Sequence, residues 1–154
     1  MNEQQIQLFN QRSPGKRLSM LHRLSQAYMA GPLGGMGITR GKIGFLLAVL
    51  KSEGIVQEEL THELFIDRAA TARAMQAMEG AGLVRREEDP EDRRRKRVYP
   101  TDKARALQPQ FLEALNKHNE ALFTGLTPEE QDQFLCMLDR LVDNLRVAVE
   151  GGER

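Results

Sequence analysis

Residues 67–100 read DRAATARAMQAMEGAGLVRREEDPEDRRRKRVYP. Asp67 is placed to cap a helix over 68–79. Within it Thr71, Met75 and Met78 recur at spacings of four and three, so they share the inward side. The other side presents Arg68, Ala69, Ala72, Arg73 and Gln76. Gly80-Ala81-Gly82 ends the helix with backbone that tolerates a left-handed turn. Residues 83–87 then read as a strand, Asp89-Pro90-Glu91-Asp92 as a turn, and residues 95–99 as the returning strand. A helix with a polar outer face is thus followed directly by a hairpin with a charged tip.

Upstream, residues 57–64 predict a short helix that buries Leu60 and Leu64. About three residues separate it from the next helix, which is the minimal helix-turn-helix pattern. Ile55-Val56 is too short to stand alone and is expected to pair as a minimal strand. A helix over 39–52 has Thr39 as its N-cap and Ile43, Leu46, Leu47 and Leu50 as its buried face. Gly31 to Gly37, with Pro32 inside, is expected to break the chain away from a preceding helix over 17–30. That helix has a stripe of Leu18, Leu21, Leu24, Ala27 and Tyr28. Residues 1–15 show no clear period and read as a loose or partner-dependent arm.

Downstream, a long helix is expected from Thr101 to about Phe123, kinked or divided at Pro109. Thr127-Pro128-Glu129-Glu130 is a strong start for a last helix. Its stripe of Phe134, Leu135, Leu138, Leu141, Val142, Leu145 and Val149 is wider than one covered side requires. The order predicts a mainly α fold with a small β-hairpin wing. It is a winged helix-turn-helix over 39–100, flanked by an N-terminal arm and helix (1–38) and C-terminal helices (101–154). The flanking helices carry more apolar surface than one winged domain covers, so both flanks are expected to serve dimerisation.

The chain has 154 residues, 40% hydrophobic and 29% charged, in line with one globular core. The longest apolar run is Phe45 to Leu50, too short for a membrane span. The N-terminal stretch has no apolar segment of signal-peptide length, so a cytoplasmic protein is expected. Net charge is zero, from 22 basic and 22 acidic residues. The distribution is uneven. Residues 106–154 hold four basic residues against nine acids, whereas Arg93 to Arg97 is the densest basic run. A neutral total therefore allows a local phosphate-binding surface.

The physics of this arrangement fits double-stranded DNA. A helix matches the width of the major groove, and a hairpin beside it reaches the adjoining minor groove. Arg68, Arg73 and Gln76 are the candidate base-edge and backbone contacts. Arginine suits guanine O6/N7, glutamine suits adenine N6/N7, and the small alanines allow close approach. Asp92, Arg93, Arg94 and Arg95 are the candidate wing contacts, with Asp92 expected to hold Arg94 extended. A solvated, self-neutralised charge run is the alternative for the wing. Surface ion pairs of that type contribute only about 0–1 kcal/mol and would not hold five cations against a phosphate backbone.

The stretch from Ile38 to Leu145 resembles the MarR family of regulators. The resemblance rests on Gly82-Leu83-Val84-Arg85-Arg86, on Asp89-Pro90-Glu91-Asp92-Arg93-Arg94, and on Pro100-Thr101-Asp102-Lys103-Ala104. It implies a homodimeric DNA-binding regulator, usually a repressor on a pseudo-palindromic operator, released by a small ligand or an oxidant. Arg73 matches the family's recognition-helix arginine, and Asp92 and Arg94 its wing pair. Ala69, Ala70 and Ala72 stand where the family often has hydroxyl residues, which bears on base reading rather than docking. Pro100 and Ala104 replace the usual Leu and Gly at the wing-to-helix joint. A small aromatic or amphipathic effector is expected between the helical arm and the winged unit, near His22, Tyr28, Met29, Met36 and Phe45.

Other chemistries find little footing. Cys136, the single cysteine, is expected to be a buried small hydrophobe, and the N-terminal cysteine of the family's peroxide sensors is missing. Glu58, Glu59 and His62 have a spacing that could hold a metal, but a solvated helix face is the commoner reading. The glycines before Lys42 lack the phosphate-loop spacing. No catalytic constellation stands out, so neither an enzyme nor a cofactor is expected. The alternative function is a winged-helix protein-interaction module that does not bind DNA.

Overall fold

The computed structural model describes residues 3–152. Met1 and Asn2, part of the expected arm, lie outside the described residues, as do Glu153 and Arg154. The elements are α1 (Glu3–Arg12), α2 (Pro14–Gly35), a 3-10 turn (Arg40–Lys42), α3 (Ile43–Lys51), β1 (Ile55–Val56), α4 (Gln57–Glu63), α5 (Arg68–Gly80), β2 (Val84–Glu88), β3 (Lys96–Pro100), α6 (Asp102–Leu122) and α7 (Pro128–Gly151). The three strands form one antiparallel sheet in the order β1-β3-β2. The chain divides into two compact units, residues 1–118 and 119–154.

The winged unit is built around one core. Met29 and Leu33 of α2, Phe45, Leu46 and Val49 of α3, Leu60 of α4, Met75 and Met78 of α5, Leu83, Val98 of β3 and Phe111 of α6 are all buried. Thr71, Met75 and Met78 are fully buried, as their spacing predicts. Each large aliphatic side chain so buried contributes roughly 1.5–3 kcal/mol. This burial holds the short helices α3, α4 and α5, which are too short to persist alone.

Ile55-Val56 pairs with Val98 and Arg97 of β3, so the minimal strand becomes the third member of the sheet. Gly54 sets the turn before it. Its φ is +79°, and a Cβ there would meet the Tyr99 ring at 3.0 Å. Gly82, at φ +70°, ends α5 while the Leu83 N–H bonds back to the Met78 carbonyl at 2.9 Å. Thr101 joins the wing to α6, its hydroxyl donating to the Gly82 carbonyl at 2.6 Å.

Several local expectations are corrected. Most of the loose arm is helix α1, and α2 starts ahead of residue 17, with Pro14 at its first position and Ser13 as N-cap. Proline's fixed φ suits that position, where no N–H is needed. The Gly31–Gly37 segment does not end the helix, since α2 runs on through Pro32 to Gly35. Met29, Leu33 and Met36 are buried at spacings of four and three, and this packing outweighs the poor helix propensity of glycine and proline. The helix expected from Thr39 starts as a 3-10 turn, and α3 begins only at Ile43. Its buried face is Phe45, Leu46, Ala48 and Val49, with Leu47 outside. α6 runs unbroken through Pro109.

In the second unit, Thr127 and Glu130 form a reciprocal capping box at the start of α7. Phe123 and Phe134 meet edge to face, with ring centroids 6.1 Å apart. None of the α7 residues is buried. Leu135, Leu141, Val142, Leu145 and Val149 are all exposed. Cys136, expected to be buried, is exposed as well. The unit of residues 119–154 offers too little surface to cover a helix of 24 residues.

Candidate nucleic-acid interface

The site starts with the cap of α5. The Asp67 carboxylate accepts the Ala70 N–H at 2.8 Å, which satisfies one of the free donors at the helix start. The turn into it is tight. Phe65 takes φ +52°, and the Ile66 N–H bonds to the Thr61 carbonyl at 3.1 Å. With Met75 and Met78 anchored below, Arg68, Ala69, Arg73 and Gln76 face outward and exposed. Ala72 is half-buried between them.

The wing is a hairpin in register from Val84 opposite Pro100 to Glu88 opposite Lys96. The end of its first strand turns on Asp89, which the sequence places in the turn that follows. Asp89 is 1% exposed. One carboxylate oxygen accepts the Glu91 N–H at 3.0 Å, and the other lies 3.0 Å from the Arg97 guanidinium. The Glu91 N–H does most to hold this carboxyl below the usual aspartate range. Desolvation opposes it, and the cations of Arg97 and then Arg95 add to it.

At the tip, Asp92 accepts the backbone N–H of Arg94 at 3.0 Å. Asp92 thus fixes the Arg94 backbone, not its guanidinium as the sequence suggested, because the short side chain closes a local turn first. Behind the wing, Arg86 binds Glu79 at the end of α5 through its side chain, at 2.6 Å, and its backbone, at 3.2 Å. Arg86 accordingly draws the Glu79 carboxyl below its ordinary value, the hydrogen bond outweighing partial desolvation. Arg85 stacks over the Tyr99 ring, 4.4 Å from its centroid.

A crevice of about 350 Å³ lies between α4, α5 and the wing. It gathers Arg68 and Ala72 from α5, Arg94, Arg95 and Lys96 from the wing, and Gln57 and Glu58 from α4. Arg68 pairs with Glu58, Arg95 with Glu59 at 3.6 Å, and Lys96 with Glu88 at 3.1 Å. Arg73 and Gln76 stand outside it on the exposed face of α5, and Arg93 is exposed at the tip. Among the described residues, the side chains of Arg73, Arg93 and Arg94 have no ion-pair or hydrogen-bond partner. Sequence reasoning missed Asp89, Glu79, Lys96 and the pairing roles of Glu58 and Glu59. Local signals existed for Asp89, in the Asp-Pro turn, and for Lys96, inside the basic run from Arg93 to Arg97.

The five residues expected near an effector separate. Tyr28 and Met36 line a crevice of about 310 Å³ with Pro32, Gln110, Glu113, Ala114 and Lys117. The Tyr28 hydroxyl donates to the Lys117 carbonyl at 3.4 Å, and its ring meets His118 edge-on. Met29 and Phe45 are core residues, 2% and 3% exposed. His22 is exposed and hydrogen-bonds Gln26 at 2.7 Å. Among the described residues, no group of three His, Cys, Asp or Glu side chains is placed to hold a metal ion. No helix of the described residues is long and apolar enough to cross a membrane.

A capped helix with a polar outer face, a short helix before it and a basic hairpin after it define a winged helix-turn-helix regulator of transcription. Residues 36–95 match the model of the MarR family. A MarR transcriptional regulator from Methanosarcina mazei Go1 has the same fold, with 33% identity and a TM-score of 0.80 over 86% of this chain and 96% of that one. The HTH-type transcriptional regulator YybA of Bacillus subtilis is 27% identical over 110 residues, 71% of this chain and 73% of YybA. The transcriptional repressor CouR, solved bound to a 23-mer DNA duplex, shares the fold with 24% identity and a TM-score of 0.79, over 87% of this chain and 95% of CouR. The chain belongs to the MarR family and is a DNA-binding transcriptional regulator.

Proposed function

We propose that the protein is a homodimeric repressor that binds a pseudo-palindromic operator and is released by a small ligand. In this reading α5 enters the major groove with Arg73 and Gln76 at base edges, and Arg68 lies near the backbone. Arg93, Arg94 and Arg95 engage the neighbouring minor groove and its phosphates, on a tip shaped by Asp92. The observation that carries it is the set of three arginines, Arg73, Arg93 and Arg94, left without partners on the recognition helix and wing. An unpaired, exposed guanidinium loses no internal partner when it meets a phosphate or a guanine.

Residues 39–100 serve as the DNA-reading part, and residues 1–38 and 101–154 as the dimerisation part. The exposed stripe of α7 and the exposed Leu8 and Phe9 of α1 support that assignment. Two-fold symmetry then places two recognition helices about 34 Å apart, one DNA turn. An aromatic or amphipathic effector in the crevice beside Tyr28 and Met36 would act by favouring a half-site spacing that mismatches the operator. The protein works in the cytoplasm, with no catalytic role and no cofactor.

Selection of bound sequences from a random DNA pool tests this reading. The expected product is an inverted repeat with half-sites about one turn apart. A pool with no enriched sequence after selection would sink it and leave the protein-interaction module.

A further inference from the structure

Cations on the docking face fall into two groups. Arg73, Arg93 and Arg94 have no partner among the described residues, whereas Arg68 and Arg95 each face a carboxylate of α4. Glu58 and Glu59 are adjacent on that helix, so one element holds a cation from the recognition helix and another from the wing. Both pairs are exposed, with side-chain exposures from 42% to 78%. Pairs of that kind are weak, and an arriving phosphate can displace them. Their carboxylates nevertheless stay within a Debye length of any phosphate that enters the crevice.

We propose that Glu58 and Glu59 are specificity determinants that withhold Arg68 and Arg95 from the phosphates of unmatched DNA. The proposal rests on the DNA-binding reading above. On unmatched DNA, affinity comes almost entirely from phosphate contacts, and each contact adds about 0.9 to the salt slope. There no base contact draws the backbone close to α4, so a phosphate does not come near enough to displace either pair, and the complex forms with Arg68 and Arg95 still on their carboxylates. On a matched site the contacts of Arg73 and Gln76 draw the backbone close enough for both cations to exchange partners. The acids thus weaken random binding more than specific binding, which is how specificity arises as a difference of affinities.

The test compares the parent chain with Glu58→Gln, Glu59→Gln and the double variant. Glutamine keeps an acceptor for the Val56 N–H, which Glu59 caps at 3.3 Å, so the fold is retained and melting temperatures should match. Affinity is measured across a salt series on a selected site and on a scrambled duplex. On scrambled DNA each single variant should steepen the salt slope by about 0.9 and tighten binding up to about fivefold. On the selected site the slope should change little. Adding Arg95→Gln to the Glu59→Gln chain should restore the parental slope. Unchanged slopes on scrambled DNA overturn the proposal. So does weaker binding to the selected site, which would mean the acids position the arginines productively. If the parent chain binds no sequence at all, the DNA reading falls too, whereas binding with unaltered variants removes this proposal alone.

Discussion

Arg73 and Arg94 are both exposed arginines without partners, yet the proposed complex asks different things of them. Arg73 stands on a helix anchored by two buried methionines, so its approach to a base edge is set by a rigid element. Arg94 stands on a tip held by Asp92 and meets a backbone that is alike in every sequence. Arg73→Ala should therefore cost about 1–3 kcal/mol on the selected site and relax the preference at one base position. Arg94→Ala should weaken binding to all duplexes and reduce the salt slope by about one. Anisotropy titrations over several salt concentrations separate the two. Equal, sequence-independent losses for both would contradict the base-reading role of Arg73. Both residues were legible in the sequence, because outward positions follow from helical period and tip positions from turn chemistry. The partners of Arg68 and Arg95 were not, since each pair joins elements that only folding brings together.

Among the elements, the wing holds a buried carboxylate, that of Asp89. Asp89 ties the first strand's end to the returning strand through the Glu91 N–H and the Arg97 guanidinium. Its carboxyl lies below the ordinary range in the folded chain. A depressed folded value contributes stability that is present above the unfolded value of about 3.9 and is lost as pH falls through the folded one. The melting temperature of the parent chain should thus fall as pH drops below about 4. Asp89→Asn should start lower at neutral pH, because Arg97 loses its carboxylate, and should lose less over that acid interval. Calorimetry from pH 7 to pH 3 reads both, and parallel curves for the two chains would count against Asp89 as the wing's anchor. The hairpin itself was evident from its strand and turn residues. The role of Asp89 was not, because burial is a property of the packed sheet and of no single position.

For the whole molecule, the proposed pairing of two copies rests on the exposed face of α7. Its apolar stripe repeats near heptad spacing, and Leu141 and Leu145 are 47% and 67% exposed. Leu141→Glu with Leu145→Glu should yield a species of single-chain mass by sedimentation, with weaker operator binding because one reading unit contacts too few phosphates. A dimeric mass for that variant would place the interface elsewhere. The recognition helix, the wing and the α7 capping box were readable in advance, since cap, period and turn signals act over a few neighbouring residues. The helix through Gly31 and Pro32, the true buried face of α3 and the exposure of Cys136 were not readable. Each depends on which surfaces meet in space: along α2 and α3 burial outweighs the local preference of the chain, whereas the side of α7 that bears Cys136 is left exposed.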